Sequence, residues 1–188
     1  MEVVLVRHGE TEWSRELKHT GRTDVPLTEE GERQARRVGE ALRNREFALV
    51  LASPLRRARE TARPAGFEPE LRDELMEWEY GDYEGLRTAA IREQVPDWTV
   101  WTHPVPNGET VQEVGRRVDR VLEEIRGVEG DVLIFAHGHV LRVLAARWLG
   151  LPPSDGRLFA LDAGTVSTAG YEREQPVIRS WNMPVSTP

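Results

Sequence analysis

Four apolar residues, Val3 to Val6, run straight into Arg7-His8-Gly9-Glu10-Thr11. A short apolar run bounded by polar residues reads as a buried strand, and this one hands a cation and an imidazole to the carboxyl edge of a sheet. Open α/β folds bind their ligands at that edge. Gly9 lets backbone approach a ligand closely, and Arg7 offers a planar fork of donors matched to phosphate oxygens.

The rest of the chain repeats the strand-helix alternation. Thr28 to Arg45 reads as a helix, with Thr28 as N-cap, an acidic first turn at Glu29 and Glu30, and Ala35, Val38 and Leu42 on one face. Phe47 to Ala52 is a second buried strand, and Ser53-Pro54 predicts an N-cap with proline at the first position of a helix reaching Ala62. Between Glu70 and Thr102 the pattern is irregular, with an edge strand near Leu71 and a short helix from Thr88 to Gln94. Thr110 and Glu113 form a capping box before the stripe Val111, Val114, Val118, Val121, Leu122 and Ile125. Asp131 to Ala136 is a third buried strand, and Val140 to Leu149 a helix closed by Gly150 and Pro152. Two or three strands follow from Leu158 to Trp181, where the stretch from Thr165 either completes the sheet or forms the edge of a homodimer. The expected architecture is a three-layer α/β/α sandwich with a mainly parallel sheet, in one domain over residues 1–188.

Composition narrows the class of partner. The net charge of −7 argues against nucleic acid and leaves attraction of an anion to local groups. Lys18 is the only lysine among 25 basic residues, so a single arginine is weak evidence unless a motif fixes it. No run approaches the roughly 20 apolar residues of a membrane span. The absence of cysteine makes a reducing, cytoplasmic setting the expectation and excludes thiolate chemistry.

Three strand ends deliver polar residues to one edge: Arg7-His8, then Ser53 with Arg56, Arg57 and Arg59 behind it, then His137-Gly138-His139. Helices starting there would add N–H groups and positive dipole ends. A neutral imidazole attacks phosphorus when one ring nitrogen is held as N–H by a carbonyl and the other is free. The equatorial oxygens then need fixed cations and the departing alkoxide a proton donor, for which Glu77 is the candidate. That carboxyl would be protonated beside an anionic phosphate and later deprotonate the water that hydrolyses the phosphohistidine. Glu77 and Glu79 have no companions at metal-ligand spacing, so neither a metal nor another cofactor is expected.

Four segments in this order, Arg7-His8-Gly9-Glu10-Thr11, Thr20 to Thr28, Ser53 to Thr61, and Ala136 to His139, resemble the histidine phosphatase superfamily in its phosphoglycerate-mutase-like branch. The resemblance runs from residue 3 to about residue 150. It implies that His8 is the phosphorylated nucleophile, Arg7 and Arg57 bind the phosphoryl group, His137 stabilises it and Glu77 is the acid/base. It also implies contacts through the Thr20-Gly21 backbone and the Gly138 amide. Family members commonly place asparagine after the tryptophan of the first motif, whereas Trp13 here precedes Ser14, whose hydroxyl still donates with shorter reach. Glu77 to Gly85, Asn107 to Thr110 and Phe135 to His139 are similar to the subgroup that includes fungal sedoheptulose-1,7-bisphosphatases.

The expected activity is metal-independent hydrolysis of small phosphorylated metabolites, sugar phosphates or bisphosphates among them. Two other functions compete. A phosphoglycerate mutase would return the phosphoryl group to a bound acceptor, but mutases of this family carry a longer arginine-rich insertion between the glutamate and the second histidine. A non-catalytic sensor of phosphorylated ligands is opposed by the joint presence of Arg7, His8, Arg57, Glu77 and His137. Among the remaining residues, His139 is expected to anchor its loop and His19 and His103 to lie on the surface. Trp98 and Trp101 either cover the substrate or pack under a long loop. Arg56 and Arg59 are expected to be solvated, unless one reaches a second phosphate.

Overall fold

The computed structural model describes residues 1–185. Its single sheet has six strands, β1 (Val3–Arg7), β2 (Leu49–Ala52), β3 (Glu70–Leu71), β4 (Val132–Ala136), β5 (Thr165–Glu172) and β6 (Gln175–Pro184), in the order β3-β2-β4-β1-β5-β6. β3, β2, β4 and β1 are mutually parallel, and β5 and β6 add an antiparallel hairpin beside β1. The C-terminal strands therefore complete the sheet. Trp148 bolts this hairpin to the helix behind it, its Nε1 donating to the carbonyls of Gly170 and Val177 at 3.2 Å each.

Strand geometry sends alternate side chains to opposite faces, and β1 divides accordingly. Val3 and Leu5 enter a core shared with α5 (Val111–Arg126) and α6 (Gly138–Trp148), while Val4 and Val6 meet Val38 and Leu42 of α2 (Glu29–Leu42) and Ala62 of α3 (Arg56–Ala62). Two short helices, α1 (Glu12–Arg15) and α4 (Thr88–Gln94), lie in the connections. The layering is thus the α/β/α sandwich expected, with helices on both faces of a mainly parallel sheet. Capping follows the sequence at two ends: Thr28 Oγ1 accepts from Gly31 N at 3.1 Å, and Thr110 with Glu113 closes a capping box.

One cap differs. α3 begins at Arg56, with Leu55 rather than Ser53 before it. Ser53 is still part of the ladder, its N–H donating to Phe135 O at 3.0 Å, and its hydroxyl is engaged by His137 Nε2 at 2.7 Å. The chain needs Pro54 and Leu55 to turn before a helix can start. α6 begins earlier than expected, at Gly138, which brings its N-terminus to the sheet edge.

Register places the polar residues. Arg7 pairs with Ala136 and Ala52 with Phe135, so His8, Ser53 and His137 emerge together beyond the last rungs. The ladder continues one step further, with His8 N donating to Ala136 O at 2.9 Å.

Candidate active site

His8 is 4% exposed and its Nδ1 lies 2.7 Å from Gly9 O. A carbonyl accepts only, so Nδ1 carries the proton and Nε2 keeps its lone pair. Burial, with Arg57 and Arg7 close by, holds the imidazole well below the ordinary histidine range, and the ring is neutral. The peptide that fixes it is itself fixed from its other side, where Glu10 N donates to Gln34 Oε1 of α2 at 2.8 Å. Gly9 N donates to Thr61 Oγ1 at 3.0 Å, and that hydroxyl donates to Arg57 O at 2.8 Å.

Arg57 is fully buried. Its Nε donates to His137 Nδ1 at 3.0 Å, Nη1 to Thr23 O at 3.0 Å, and Nη2 to Thr20 O at 3.0 Å and Gly21 O at 2.8 Å. Four of the five guanidinium donors are so engaged, which leaves one on Nη1. Because His137 Nδ1 accepts, its Nε2 carries the proton and donates to Ser53 Oγ. The His137 ring lies 5.1 Å from that of His8, edge to face, and burial beside Arg57 keeps it neutral.

Arg7 is the second guanidinium. It donates through Nη1 to Leu161 O, while its buried Nε has no acceptor among the described residues. An unpaired buried donor is uncommon and costly, and the side chain that carries it lines, with His8 and Glu77, a cavity of about 460 Å³.

Glu77 is held at the start of α6. Its Oε1 accepts from Trp78 N and Val140 N and its Oε2 from His139 N, each at 2.9 Å. The backbone carrying it is gripped by Arg117 of α5, which donates to the carbonyls of Glu74 and Met76 at 2.6 Å each and of Glu77 at 3.2 Å. Arg117 is in turn paired with Glu109 at 2.8 Å.

The other expected contacts divide. Thr20 and Gly138 line the cavity, and Gly138 lies so close to Arg7 that a Cβ there would stand 3.4 Å from Nε. The first N–H groups of a helix such as α6 have no intrahelical acceptor. Gly21 is not on the cavity wall, and its amide is taken by the Glu84 carboxylate at 2.9 and 3.0 Å, so its contribution is the carbonyl that holds Arg57. Ser14 lines the cavity with its hydroxyl engaged in a capping box with Thr11.

His19 is not a plain surface residue. It lines the cavity, its Nε2 is 3.1 Å from Thr88 Oγ1, its ring lies 4.8 Å from Tyr80, and burial lowers its pKa to about 4. His139 anchors its surroundings as expected, bonded through Nδ1 to the Tyr80 hydroxyl at 2.5 Å. Trp98 is core packing at 1% exposure, and Trp101 packs edge-on to Trp78. Arg56 pairs with Glu60, and neither Arg56 nor Arg59 borders the cavity.

Sequence reading gives no role to Gln34, Thr61 and Arg117, and takes Ser53 as a strand end and helix cap rather than as the partner of His137. For Thr61 a signal exists, since it stands four residues after Arg57 on the same helix. Arg117 falls on the apolar face of α5, three residues after Val114 and four before Val121. Gln34 carries no such mark, and the pairing of Ser53 with His137 joins residues distant in sequence.

Comparison with known proteins adds four findings. A profile of the histidine phosphatase superfamily (branch 1) matches residues 3–184. The chain is 43% identical over 177 residues to an acid phosphatase of Mycobacterium tuberculosis, covering 90% of this chain and 86% of that one. It is 39% identical over 182 residues to the sedoheptulose 1,7-bisphosphatase of Saccharomyces cerevisiae, covering 79% and 67%. Among solved structures, the product of an open reading frame of Mycobacterium tuberculosis superposes with a TM-score of 0.94 at 38% identity over 98% of each chain.

Proposed function

Because the chain belongs to the histidine phosphatase superfamily (branch 1), we propose that it is a phosphomonoesterase that hydrolyses small phosphorylated metabolites through a phosphohistidine on His8. The observation that carries this reading is the placing of His8, pinned at Nδ1 by Gly9 O, beside the Arg7 guanidinium on the wall of one cavity. A phosphoryl group held by that guanidinium presents its phosphorus to a neutral imidazole nitrogen.

In the first step the lone pair of His8 Nε2 forms the P–N bond as the P–O bond to the leaving group breaks. Glu77 gives its proton to the departing oxygen, and Gly9 O keeps the ring oriented as charge develops on it. Arg7 on the cavity wall stabilises the equatorial oxygens, with the charge of Arg57, buried behind the wall, and the N-terminus of α6 adding to it. His137 acts by holding Arg57. In the second step Glu77 takes a proton from water, the water oxygen bonds phosphorus, the P–N bond breaks, and inorganic phosphate leaves neutral His8.

Every proton and charge in this sequence is carried by a named side chain, and among the described residues no group of three His, Asp or Glu is placed to hold a metal ion. The test is phosphate release from a panel of sugar phosphates, phosphoglycerates, nucleotides and p-nitrophenyl phosphate, with and without chelator. The expected result is chelator-insensitive release that His8→Ala abolishes, with a phosphohistidine at His8 detected by mass spectrometry under alkaline quench. Interconversion of phosphoglycerates without phosphate release would assign the mutase reaction instead, and release surviving His8→Ala would remove His8 as nucleophile.

A further inference from the structure

Two cations oppose each other at the mouth of the cavity, and folding does not account for them. Lys18 and Arg87 form an isolated antiparallel bridge, flanked by His19 N to Leu86 O at 2.9 Å and Gly85 N to His19 O at 2.8 Å. Residues directly opposite on an antiparallel pair project to one face with Cβ atoms about 5 Å apart, and like charges there are destabilising. Both side chains line the cavity. Glu16 lies 2.6 Å from the Lys18 ammonium and is near enough to Arg87 to feel its charge, but one carboxylate leaves the two cations half neutralised, and the exposed Arg87 has no ion pair of its own among the described residues.

The turn that delivers Lys18 is a second unfavourable choice at the same place. α1 ends in a Schellman arrangement, Lys18 N donating to Trp13 O at 2.9 Å and Leu17 N to Ser14 O at 3.2 Å. Its left-handed position, where glycine is usual, is held by Leu17 at φ 58° with the side chain 78% exposed. Strain retained at a ligand cavity points to function. Across the cavity Arg142 adds a third cation, 4.7 Å above the Trp101 ring. Glu77 is the one carboxylate on the wall among the described residues, in a chain of net charge −7. His19 and His139, also on the wall, are kept neutral by burial and add no charge of their own.

We propose that Lys18 and Arg87 bind a second anionic group, a phosphate or a carboxylate, on the part of the substrate that leaves as the alcohol. This rests on the phosphatase reading above. The preferred substrate is then a compact hydroxylated molecule with an anion at each end, one anion cleaved at His8 and the other gripped at the rim. The second anion cancels the apposed cations that the empty bridge must tolerate.

The test compares matched pairs in native protein and in the double variant Lys18→Gln/Arg87→Gln. Fructose 1,6-bisphosphate is set against fructose 6-phosphate, and 3-phosphoglycerate against glycerol 3-phosphate. The readouts are kcat/KM for phosphate release and, separately, titration of each compound onto His8→Ala protein with and without the two rim changes. The native protein should prefer the doubly anionic member of a pair, and the double variant should lose about tenfold of that preference. Raising salt should shrink the native preference. The double variant should melt at or above the native temperature, because the like-charge apposition is gone.

Loss confined to the bisphosphate pair assigns a phosphate subsite, and loss confined to the phosphoglycerate pair a carboxylate subsite. An unchanged preference in both pairs overturns the proposal and leaves the phosphatase standing. No phosphate release from any compound overturns the phosphatase reading, and the titrations then decide the rim by themselves.

Discussion

A single carbonyl decides what His8 can do. With Nδ1 donating to Gly9 O, the ring presents Nε2 unprotonated at any pH where burial keeps it neutral. The proton on the leaving group must come from elsewhere, and Glu77 is the one carboxyl on the cavity wall among the described residues. Glu77→Gln is therefore expected to slow release from sugar phosphates by about a hundredfold and from p-nitrophenyl phosphate much less, since a phenoxide departs without a proton. Equal losses on both substrates, read as kcat, would take the proton-donor role away from Glu77. The buried histidines also set acid stability. Their pKa values are depressed in the fold, His19 to about 4, and return to about 6.5 on unfolding. Below about pH 6.5 the unfolded chain binds more protons, so stability falls as pH falls, by about 1.4 kcal/mol per unit for each such histidine. Urea midpoints measured from pH 7 to pH 5 should drop, and His19→Asn should flatten the drop.

At the level of elements, the nucleophile loop and α2 meet through two glycines. A Cβ at Gly31 would lie 2.2 Å from Glu10 O, and one at Gly9 would lie 2.4 Å from Gly31 O. Gly31→Ala should lift α2 from the loop, cost about 1–3 kcal/mol, and lower kcat more than it changes KM, because Gln34 travels with the helix. Thermal melts and kinetics on the same sample would check both effects, and an unaltered kcat would show that the loop keeps its shape without α2. The elements that the sequence announces are those with local causes. α5 has its capping box and apolar stripe within one stretch, and α4 occupies the span its pattern predicts. The start of α3 is illegible because the partner of the Ser53 hydroxyl is His137, the residue that caps α6 and is distant in sequence. The same holds for Glu77: its motif is readable, but the α5 arginine that holds its backbone is visible only once α5 is docked.

The whole molecule turns a net negative chain into a cationic cavity. Composition leaves anion attraction to local groups, yet it gives no hint that Lys18 and Arg87 face each other, since that follows from a bridge between two loops. The parallel part of the sheet was readable from its apolar runs, and the place of β5 and β6 was not, because an alternating hairpin suits a sheet edge or a second chain equally well.

The pairing of Arg7 with Ala136 has a kinetic consequence. A one-residue slip of β1 against β4 would turn Val3 and Leu5 to the wrong face of the sheet and separate His8 from His137 in the same movement. Misregistered states with a sound interior and a broken reaction centre are therefore excluded. In refolding from urea, recovered phosphate release should follow the return of buried tryptophan fluorescence with one time course, and enzyme activity becomes a direct clock for closure of the sheet.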